Sequence, residues 1–183
     1  MTLLRIYPET DASSCHSFDQ EDDIAKALQD IGVLFERWPS EAHLEAGASQ
    51  ESILKAYAPS VERLAFKYGF ESSDVIRVKP DHPDRIALRE KFLSEHTHDD
   101  FEVRFFVEGQ GLFFLHPDDR VFGILCKPGD LLSVPSGVKH WFDMGEFPDL
   151  TCIRLFTTPE GWVAKYTQDP IAESFPRISD FET

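Results

Sequence analysis

The sequence has little positive charge: 18 lysine and arginine residues stand against 33 aspartate and glutamate residues, a formal net charge of −15. A surface of this sign repels the phosphates of nucleic acids and the head groups of anionic membranes, so we expect neither as a partner. The same charge would repel an anionic substrate. Such a substrate would therefore need positive charge supplied locally, at its binding site.

Cysteine is also scarce. Cys15, Cys126 and Cys152 are too few and too scattered for a disulfide framework, and none belongs to a Cys-x-x-Cys pair. Cys126 and Cys152 lie within apolar runs. We expect small, buried, unpaired side chains in a protein of the reducing cytosol.

Long apolar runs are missing as well. The first ten residues, MTLLRIYPET, contain no extended apolar stretch of the kind found in secretory signals, and no run approaches the length of a membrane-spanning helix. The sequence also contains no glycine-rich phosphate-binding loop and no serine–histidine–aspartate nucleophile pattern. These absences predict a soluble, cytoplasmic protein.

Phenylalanine, by contrast, is abundant, with 16 among 183 residues. Aromatic side chains bury large areas and favour strands, so the composition favours a β-rich core. The length suits one domain with one core, and we take residues 1–183 as a single domain.

Helical patterns are confined to the first half of the chain, at residues 17–31, 49–68 and 84–93. Pro59 should divide the second segment, because proline removes a backbone donor and disfavours helix at the residue before it. A short strand is expected before the helices, at residues 3–7.

From residue 95 the pattern changes to short strands separated by turns: EVRFFVEG, GLFFLHPDD, RVFGILCKPGD, LLSVPSG and LTCIRLF. Strands of this kind favour a small antiparallel barrel or sandwich. We therefore predict a helical part with one edge strand (1–93), a barrel core (94–160) and a tail packed on the body (161–183).

The segment EHTHDDFEVRFFVEG offers His96, His98 and Glu102 at even spacings. Along a strand, alternate side chains point to one face, so all three should project the same way. His140 follows a Pro-x-Gly turn, from which a returning strand could bring it opposite the other three. Three imidazoles and one carboxylate suit a divalent transition metal such as Fe(II), Ni(II), Mn(II) or Zn(II). The alternative is a set of solvated strand histidines.

The same alternation extends along the strand. It places Arg104 and Phe106 on the face of Glu102, towards the barrel interior. Val103 and Phe105 then point to the opposite face, which the N-terminal helices would cover.

An arginine that points into a barrel beside a metal needs an anionic partner. One interpretation is that Arg104 holds an anionic substrate against the metal; the other is a salt bridge to Glu102 or another buried carboxylate. Arg154, in TCIRLF, is a weaker candidate for a substrate contact, and a structural role is favoured for it.

Aromatic residues flank the ligands. Phe92, Trp141 and Phe142 would form the walls of a substrate pocket or belong to the plain barrel core, where aromatic residues are equally expected. Other histidines stay outside the predicted site. Of these, His82 and His116 lie in His-Pro-Asp turns and are expected to be exposed.

The two-part pattern of ligands and turn glycines resembles the cupin superfamily, small metal-binding β-barrels. Two positions depart from it. Glu90 stands where a glycine is expected six residues before His96, and Met144 stands where an asparagine is expected after the last histidine.

A closer resemblance is to the bacterial acireductone dioxygenases of methionine salvage. It rests on HTHDDFEVRFFVEGQGLFFLH, PGDLLSVPSGVKHWFDMG and IRLFTTPEGWVAKYT, together with DHPD, REKFLSEHTH and IAESFP. The similarity covers residues 80–176, with looser agreement in the helical part before them.

This resemblance implies a fold, a cofactor and a site. The fold would be mainly β, a cupin-type antiparallel barrel (a double-stranded β-helix) with the N-terminal helices packed outside. The family's metal ligands fall on His96, His98, Glu102 and His140, and a substrate-orienting position falls on Arg104. Each chain would bind one Fe(II) or Ni(II). Apart from the resemblance, we expect a monomeric or weakly associating protein.

The resemblance also implies a reaction. Family members oxidise the acireductone 1,2-dihydroxy-3-keto-5-methylthiopentene with O₂. The Fe(II) form yields formate and 4-methylthio-2-oxobutanoate, the methionine precursor. In at least one member the Ni(II) form yields formate, carbon monoxide and 3-methylthiopropionate.

Two other functions are compatible with a metal-binding barrel. One is another metal-dependent cupin reaction, such as sugar isomerisation. A pocket for a sugar phosphate should carry additional basic or polar groups, which these phenylalanine-rich strands do not supply. The other is a non-catalytic cupin that binds a metal or ligand as a sensor or scaffold. Such a module needs a second functional domain or partner surface, which neither the length nor the motifs indicate.

Overall fold

The computed structural model describes residues 1–39, 44–45, 47–158 and 163–181. The strands within these ranges form two antiparallel sheets, which confirms the predicted mainly β architecture. The strands are β1 (Leu3–Pro8), β2 (His16–Phe18), β3 (Leu34–Arg37), β4 (Ser72–Val78), β5 (His96–Thr97), β6 (Glu102–Glu108), β7 (Gly111–Leu115), β8 (Arg120–Cys126), β9 (Asp130–Val134), β10 (His140–Asp143), β11 (Leu150–Phe156) and β12 (Lys165–Tyr166). Their order is β12-β5-β10-β7-β8-β1-β2 in the seven-stranded sheet and β3-β9-β6-β11-β4 in the five-stranded sheet.

The main core combines side chains from both sheets. Phe106 and Leu132 come from the five-stranded sheet, Phe113 and Phe142 from the seven-stranded one, and none is more than 2% exposed. The rings of Phe113 and Phe142 lie 4.7 Å apart between centroids. Each such side chain stabilises the fold by about 1.5–3 kcal/mol on burial, so this shared core holds the two sheets together.

The helices in the described residues are α1 (Glu21–Gln29), α2 (Gln50–Ala56), α3 (Ala58–Tyr68) and α4 (Arg85–Leu93). The predicted division of the second helical segment is confirmed: α2 and α3 meet at Tyr57, and Pro59 lies in the first turn of α3, where its missing N–H costs no helical hydrogen bond. α1 begins at Glu21 and not at Ser17, because residues 16–18 form β2 against β1. None of these helices is long and apolar enough to cross a membrane.

The alternation predicted for β6 is confirmed. Phe106 packs in the core shared by the two sheets, while Val103 and Phe105 pack in a separate cluster with side chains of α2 and α3. Glu102 and Arg104, on the face of Phe106, line a cavity. Helices α2 and α3 therefore cover the outer face of the five-stranded sheet.

The N-terminal part is less helical than predicted. The described residues between 1 and 93 contain four strands where the sequence pattern predicts only one: β1 pairs with β8 and β2, β3 with β9, and β4 with β11. The sequence pattern misses β3 and β4 because LFER and SSDVIRV are short, mostly half-buried and without a clean alternation. The two sheets are thus completed by residues from the first half of the chain.

Beyond β12, the described part of the tail lies on the outer face of the seven-stranded sheet. Two 3₁₀ turns, Pro170–Ser174 and Ile178–Phe181, bracket Phe175. The ring of Phe175 lies 5.8 Å from that of Trp141 and 6.1 Å from that of Phe114. A second aromatic cluster therefore joins the tail to β7 and β10.

Asp143 joins three parts of the molecule. Its fully buried carboxylate accepts hydrogen bonds from Nε of Arg89 in α4 (2.8 Å), from the backbone of Gly145 (2.9 Å) and from the backbone of Ile178 in the tail (3.0 Å). Burial alone would raise the pKa of Asp143, but the hydrogen bonds from Arg89 and the two backbone groups outweigh it and lower the pKa. The ionised carboxylate thus fixes α4 and the tail to β10.

Replacing Asp143 with asparagine should destabilise the fold by about 3 kcal/mol at neutral pH, because the charge of Arg89 loses its buried partner. The free energy of unfolding in urea measures this. The pKa of Asp143 in the folded protein lies below its ordinary value of 3.8. The stabilisation is therefore present above pH 3.8 and is lost as the pH falls through the pKa of the folded state. The difference between wild type and variant should therefore shrink on acidification below about pH 4.

Asp149→Asn provides the matched control. It removes the ion pair between Asp149 and Lys79, whose atoms lie 2.6 Å apart but whose side chains are 61% and 42% exposed. An exposed pair contributes at most about 1 kcal/mol. Equal losses from the two substitutions would show that Asp143 does not hold the three parts together.

Candidate metal centre

The four predicted ligands meet at one place. One ligand atom each from His96, His98, Glu102 and His140 lies within 4.8 Å of all the others. None of these residues is more than 6% exposed. The alternative of solvated strand histidines is therefore wrong for this set.

The ligands come from both sheets. His96 on β5 lies directly opposite His140 on β10 in the seven-stranded sheet, whereas Glu102 begins β6 in the five-stranded sheet. Residues 98–101, which include His98, cross from one sheet to the other. The even spacing thus predicts correctly that the side chains meet, but the reason is different, because β5 and β6 are not one continuous strand.

Each imidazole is oriented by a backbone carbonyl. Nδ1 of His96 and Nδ1 of His140 each donate to the carbonyl two residues earlier (both 2.7 Å), and Nδ1 of His98 donates to the carbonyl of Val163 (3.1 Å). Because a carbonyl only accepts, Nδ1 carries the hydrogen, and Nε2 of a neutral ring keeps a lone pair. Hydrogen bonds of this kind fix the tautomer of metal-binding histidines.

The donor atoms then face each other. Nε2 of His98 and Nε2 of His140 lie 3.0 and 2.9 Å from the same atom, Oε2 of Glu102. Neutral rings with hydrogen on Nδ1 would present lone pairs to a carboxylate lone pair, an arrangement that requires either a proton or a metal ion between the two atoms. A divalent transition metal meets this requirement, since imidazole and carboxylate are both among its ligands. The residues present fit a metal ion.

Burial and neighbouring charges set the protonation of the site. Burial, followed by the charge of His140, lowers the pKa of His96 to about 4. Burial would raise the pKa of Glu102, but Arg104 and the neighbouring histidines hold it well below its ordinary range. Burial also opposes protonation of His98, yet its hydrogen bond to Glu102 outweighs this and raises its pKa. The site therefore contains an ionised carboxylate beside a neutral His96.

Arg104 is held by charge on one side and by aromatic rings on the others. Its Nε lies 3.0 Å from Oε1 of Glu102. The guanidinium carbon lies 4.6 Å from the ring centroid of Phe142, 5.4 Å from that of Phe113 and 5.7 Å from that of Phe92, within the range of cation–π attraction. The predicted ion pair with Glu102 is thus present, and the substrate contact stays a proposal.

A cavity of about 470 Å³ adjoins the ligands, a volume suited to a small molecule. Besides three of the ligands and Arg104, its lining consists of Leu88, Lys91, Phe92, Phe142, Arg154, Val163, Ala164 and Tyr166. A larger cavity of about 600 Å³ adjoins Met144 and Phe147, but its lining is away from the four ligands. The smaller cavity is therefore the candidate active site.

The predicted pocket walls are only partly correct. Phe92 and Phe142 line the cavity. Trp141 does not belong with them: it is fully buried on the opposite face of β10, stacked on Phe114 at 5.0 Å between centroids. Alternation along the strand explains this, because the neighbours of an inward-facing residue point outward.

Arg154 lines the cavity, and its Nε donates to a carboxylate oxygen of Asp74 (2.8 Å), in keeping with the structural role favoured for it. Lys91 and Tyr166 also line the cavity, although sequence analysis does not identify either. An exposed lysine on a helix looks like any solvated position. Tyr166 reaches the site only because β12 pairs with β5, a long-range contact.

The prediction that His116 is exposed is wrong. The residue is 3% exposed, and its Nδ1 donates to Oε2 of Glu95 (2.6 Å), which is itself 1% exposed. The turn begins only at Asp118, whereas His116 directly follows the packed strand β7. Glu95 directly precedes the ligand His96, but sequence analysis gives it no role.

A two-sheet antiparallel barrel with three buried histidines and one glutamate beside a cavity defines a metal-binding protein of the cupin type. The sequence model of the ARD/ARD′ family matches residues 3–164. The chain belongs to this family.

Relatives span its full length. The chain is 61% identical to an acireductone dioxygenase of Methylococcus capsulatus, over 99% of this chain and 97% of the relative. It is 54% identical to an acireductone dioxygenase of Aquifex aeolicus, over 98% of both. A solved acireductone dioxygenase from Bacillus anthracis, with a cadmium ion in its active centre, matches with a TM-score of 0.79 at 31% identity, over 91% of this chain and 98% of that one.

Replacing Glu102 with glutamine should weaken metal binding by more than about 100-fold, since even the loss of an outer partner of a ligand costs 10–100-fold. Metal content after dialysis, measured by mass spectrometry, tests this. His16→Gln, at an exposed histidine on β2, is the control and should retain the metal. Full metal occupancy in folded Glu102→Gln would remove Glu102 from the ligand set.

Proposed function

We propose that this chain is a metal-dependent acireductone dioxygenase of methionine salvage. The observation that carries the proposal is the joint presence of full-length relatives of that name and a buried three-histidine, one-glutamate cluster at a cavity of small-molecule size. Its substrates would be 1,2-dihydroxy-3-keto-5-methylthiopentene and O₂.

His96, His98, Glu102 and His140 would hold one Fe(II) or Ni(II) per chain. The facing lone pairs and the carbonyl-oriented rings support this assignment. When bound, such an ion supplies Lewis-acid charge that favours the ionised form of the acireductone. The ligand set does not distinguish the two metals, because affinity rises along the divalent series and occupancy follows cellular supply.

Arg104 would stabilise the negative charge of the ionised substrate. Its guanidinium lines the cavity beside Glu102 and is buried against aromatic rings. In such a water-poor environment a fixed positive charge acts more strongly than it would in solvent. Arg104 would therefore orient the substrate oxygens towards the ligands.

The apolar part of the cavity would receive the methylthio end of the substrate. The apolar residues of its lining are Leu88, Phe92, Phe142, Val163 and Ala164. Burying a thioether chain against such side chains is favourable, and it leaves the polar enediol at the charged side of the cavity. The cavity would thus fix the direction in which the substrate enters.

Two sets of products would result. With iron, cleavage of the C1–C2 bond would give formate and 4-methylthio-2-oxobutanoate. With nickel, loss of C2 would give formate, carbon monoxide and 3-methylthiopropionate. Each set accounts for all carbon atoms of the substrate and both atoms of O₂.

We further expect a monomer in the cytoplasm that acts on small molecules and not on nucleic acid, in keeping with the acidic composition.

Product analysis tests the function directly. The protein is stripped of metal, reconstituted separately with Fe(II) and Ni(II), and supplied with acireductone under air. Keto acid and formate are expected with iron, and carbon monoxide is expected with nickel. Full occupancy by both metals without turnover above the spontaneous rate would contradict the proposed reaction and leave the metal centre in place.

Arg104→Ala should lower kcat/KM by about 100-fold or more, as the loss of a single charge-stabilising donor does in other active sites, while metal content falls much less. Steady-state kinetics and metal analysis on the same sample separate the two effects. Arg63→Ala, which breaks a surface ion pair with Glu36, is the control and should leave both unchanged. Equal losses of turnover and metal would assign Arg104 to the metal site alone.

A further inference from the structure

Glu95 is a buried carboxylate that the proposed chemistry does not use. It directly precedes the ligand His96 and is 1% exposed. Oε2 of Glu95 accepts from Nδ1 of His116 (2.6 Å), and Oε1 accepts from the hydroxyl of Thr167 (2.7 Å). Burying a carboxylate is costly unless it is paired and hydrogen-bonded, and here both oxygens have partners. We call Glu95, His116 and Thr167 the Glu95 cluster.

One side of the cluster leads to the ligand His140. His116 follows β7, and its backbone N–H donates to the carbonyl of Lys139 (2.8 Å), the residue before His140. Leu115, before His116, lies opposite His140 in the sheet. Nε2 of His116 also lies 3.4 Å from a carboxylate oxygen of Glu9, which adds a second anionic neighbour to the same ring. The bond from His116 to Glu95 therefore ties the start of β5 to the start of β10.

The other side leads to the ligand His98. The backbone N–H of Thr167 donates to the carbonyl of Glu95 (3.1 Å), so Thr167 is bound to Glu95 through both backbone and side chain. Thr167 follows β12, in which Tyr166 pairs with His96. The same segment contains Val163, whose carbonyl orients His98. A displacement of this segment would move the group that fixes the imidazole of His98.

We infer that Glu95 is a positioning residue that, through His116 and Thr167, holds the three histidine ligands in one relative geometry. The inference rests on the proposed metal site. All three histidines are reached through it: His96 by the chain itself, His140 through His116, and His98 through the segment that ends at Thr167. Metal affinity depends on the distances between ligands, and outer partners of ligands typically contribute about 10–100-fold to it.

The experiment replaces Glu95 and Thr167 with side chains of similar shape and measures how tightly, and in what geometry, the protein binds a metal ion. Glu95→Gln keeps the shape but removes the charge opposite His116, and Thr167→Val removes only the hydroxyl. Co(II) is the probe, because its visible absorption reports ligand geometry in the folded protein without any turnover. Its Kd is measured by chelator competition, well below the unfolding temperature of each variant.

Glu95→Gln should raise the Kd for Co(II) by about 10–100-fold and Thr167→Val by about 10-fold, each with an altered Co(II) absorption spectrum. Thr167→Ser, which keeps the hydroxyl, should have the Kd and the Co(II) spectrum of the wild-type protein. The matched control is Thr151→Val. It removes another threonine–glutamate hydrogen bond, from buried Thr151 to partly exposed Glu108 (3.0 Å), together with the one that Thr151 accepts from Arg77 (3.3 Å), away from the ligands. It should lower stability and leave the Kd and the spectrum unchanged.

Two outcomes would overturn the inference, and they have different meanings. Wild-type Kd and spectrum in folded Thr167→Val, with reduced stability only, would show that the cluster supports the fold and not the ligands; this variant carries the test if Glu95→Gln does not fold. Failure of the wild-type protein to bind Co(II) would overturn the metal site and the inference together. Binding without acireductone turnover would refute the proposed reaction, while the variant series still decides the role of Glu95.

Discussion

The arrangement of this barrel depends on the neutralisation of one buried carboxylate, that of Glu102. A carboxylate removed from water is strongly destabilising unless charges and donors surround it. Oε1 of Glu102 faces Arg104, and Oε2 faces the imidazoles of His98 and His140. This requirement fixes which way β6 must face. Once Glu102 points inward, alternation brings Phe106 into the core and leaves an apolar outer face that α2 and α3 must cover.

The orientation of the imidazoles has a local and a distant component. His96 and His140 each donate to the carbonyl two residues earlier, so a short stretch of chain fixes each ring. His98 donates instead to Val163, 65 residues away. The orientation of the His98 ring therefore depends on how firmly the segment before β12 is attached. The hydrogen bonds between Glu95 and Thr167 attach this segment, so we infer that Glu95 affects His98 without touching it.

Short-range sequence patterns predict which face of a strand points inward and where a helix breaks. They fail for strands whose partners lie far along the chain. The inward face of β6 and the break before Pro59 follow from local spacing. Spacing also singles out the four ligands, but His96 and Glu102 meet because the chain crosses between the sheets and not because they share a strand. The strands β3 and β4 do not, because their hydrophobic pattern is weak and their partners, β9 and β11, lie far along the chain. The burial of His116 depends likewise on Glu95, a partner that the His-Pro-Asp pattern does not indicate.

A net charge of −15 and an anionic substrate are compatible because charge acts locally in this structure. At physiological ionic strength, exposed charges farther away than about 8 Å are largely screened, so the acidic surface acts weakly on a molecule inside the cavity. Among the described residues, the cavity is lined by Lys91, by Arg104, which is paired with Glu102, and by Arg154, which is paired with Asp74. Buried charges are screened less than exposed ones, so Arg104 outweighs many distant carboxylates. The composition therefore disfavours anionic polymers that must contact a wide surface, while a small enediolate needs only this one cavity.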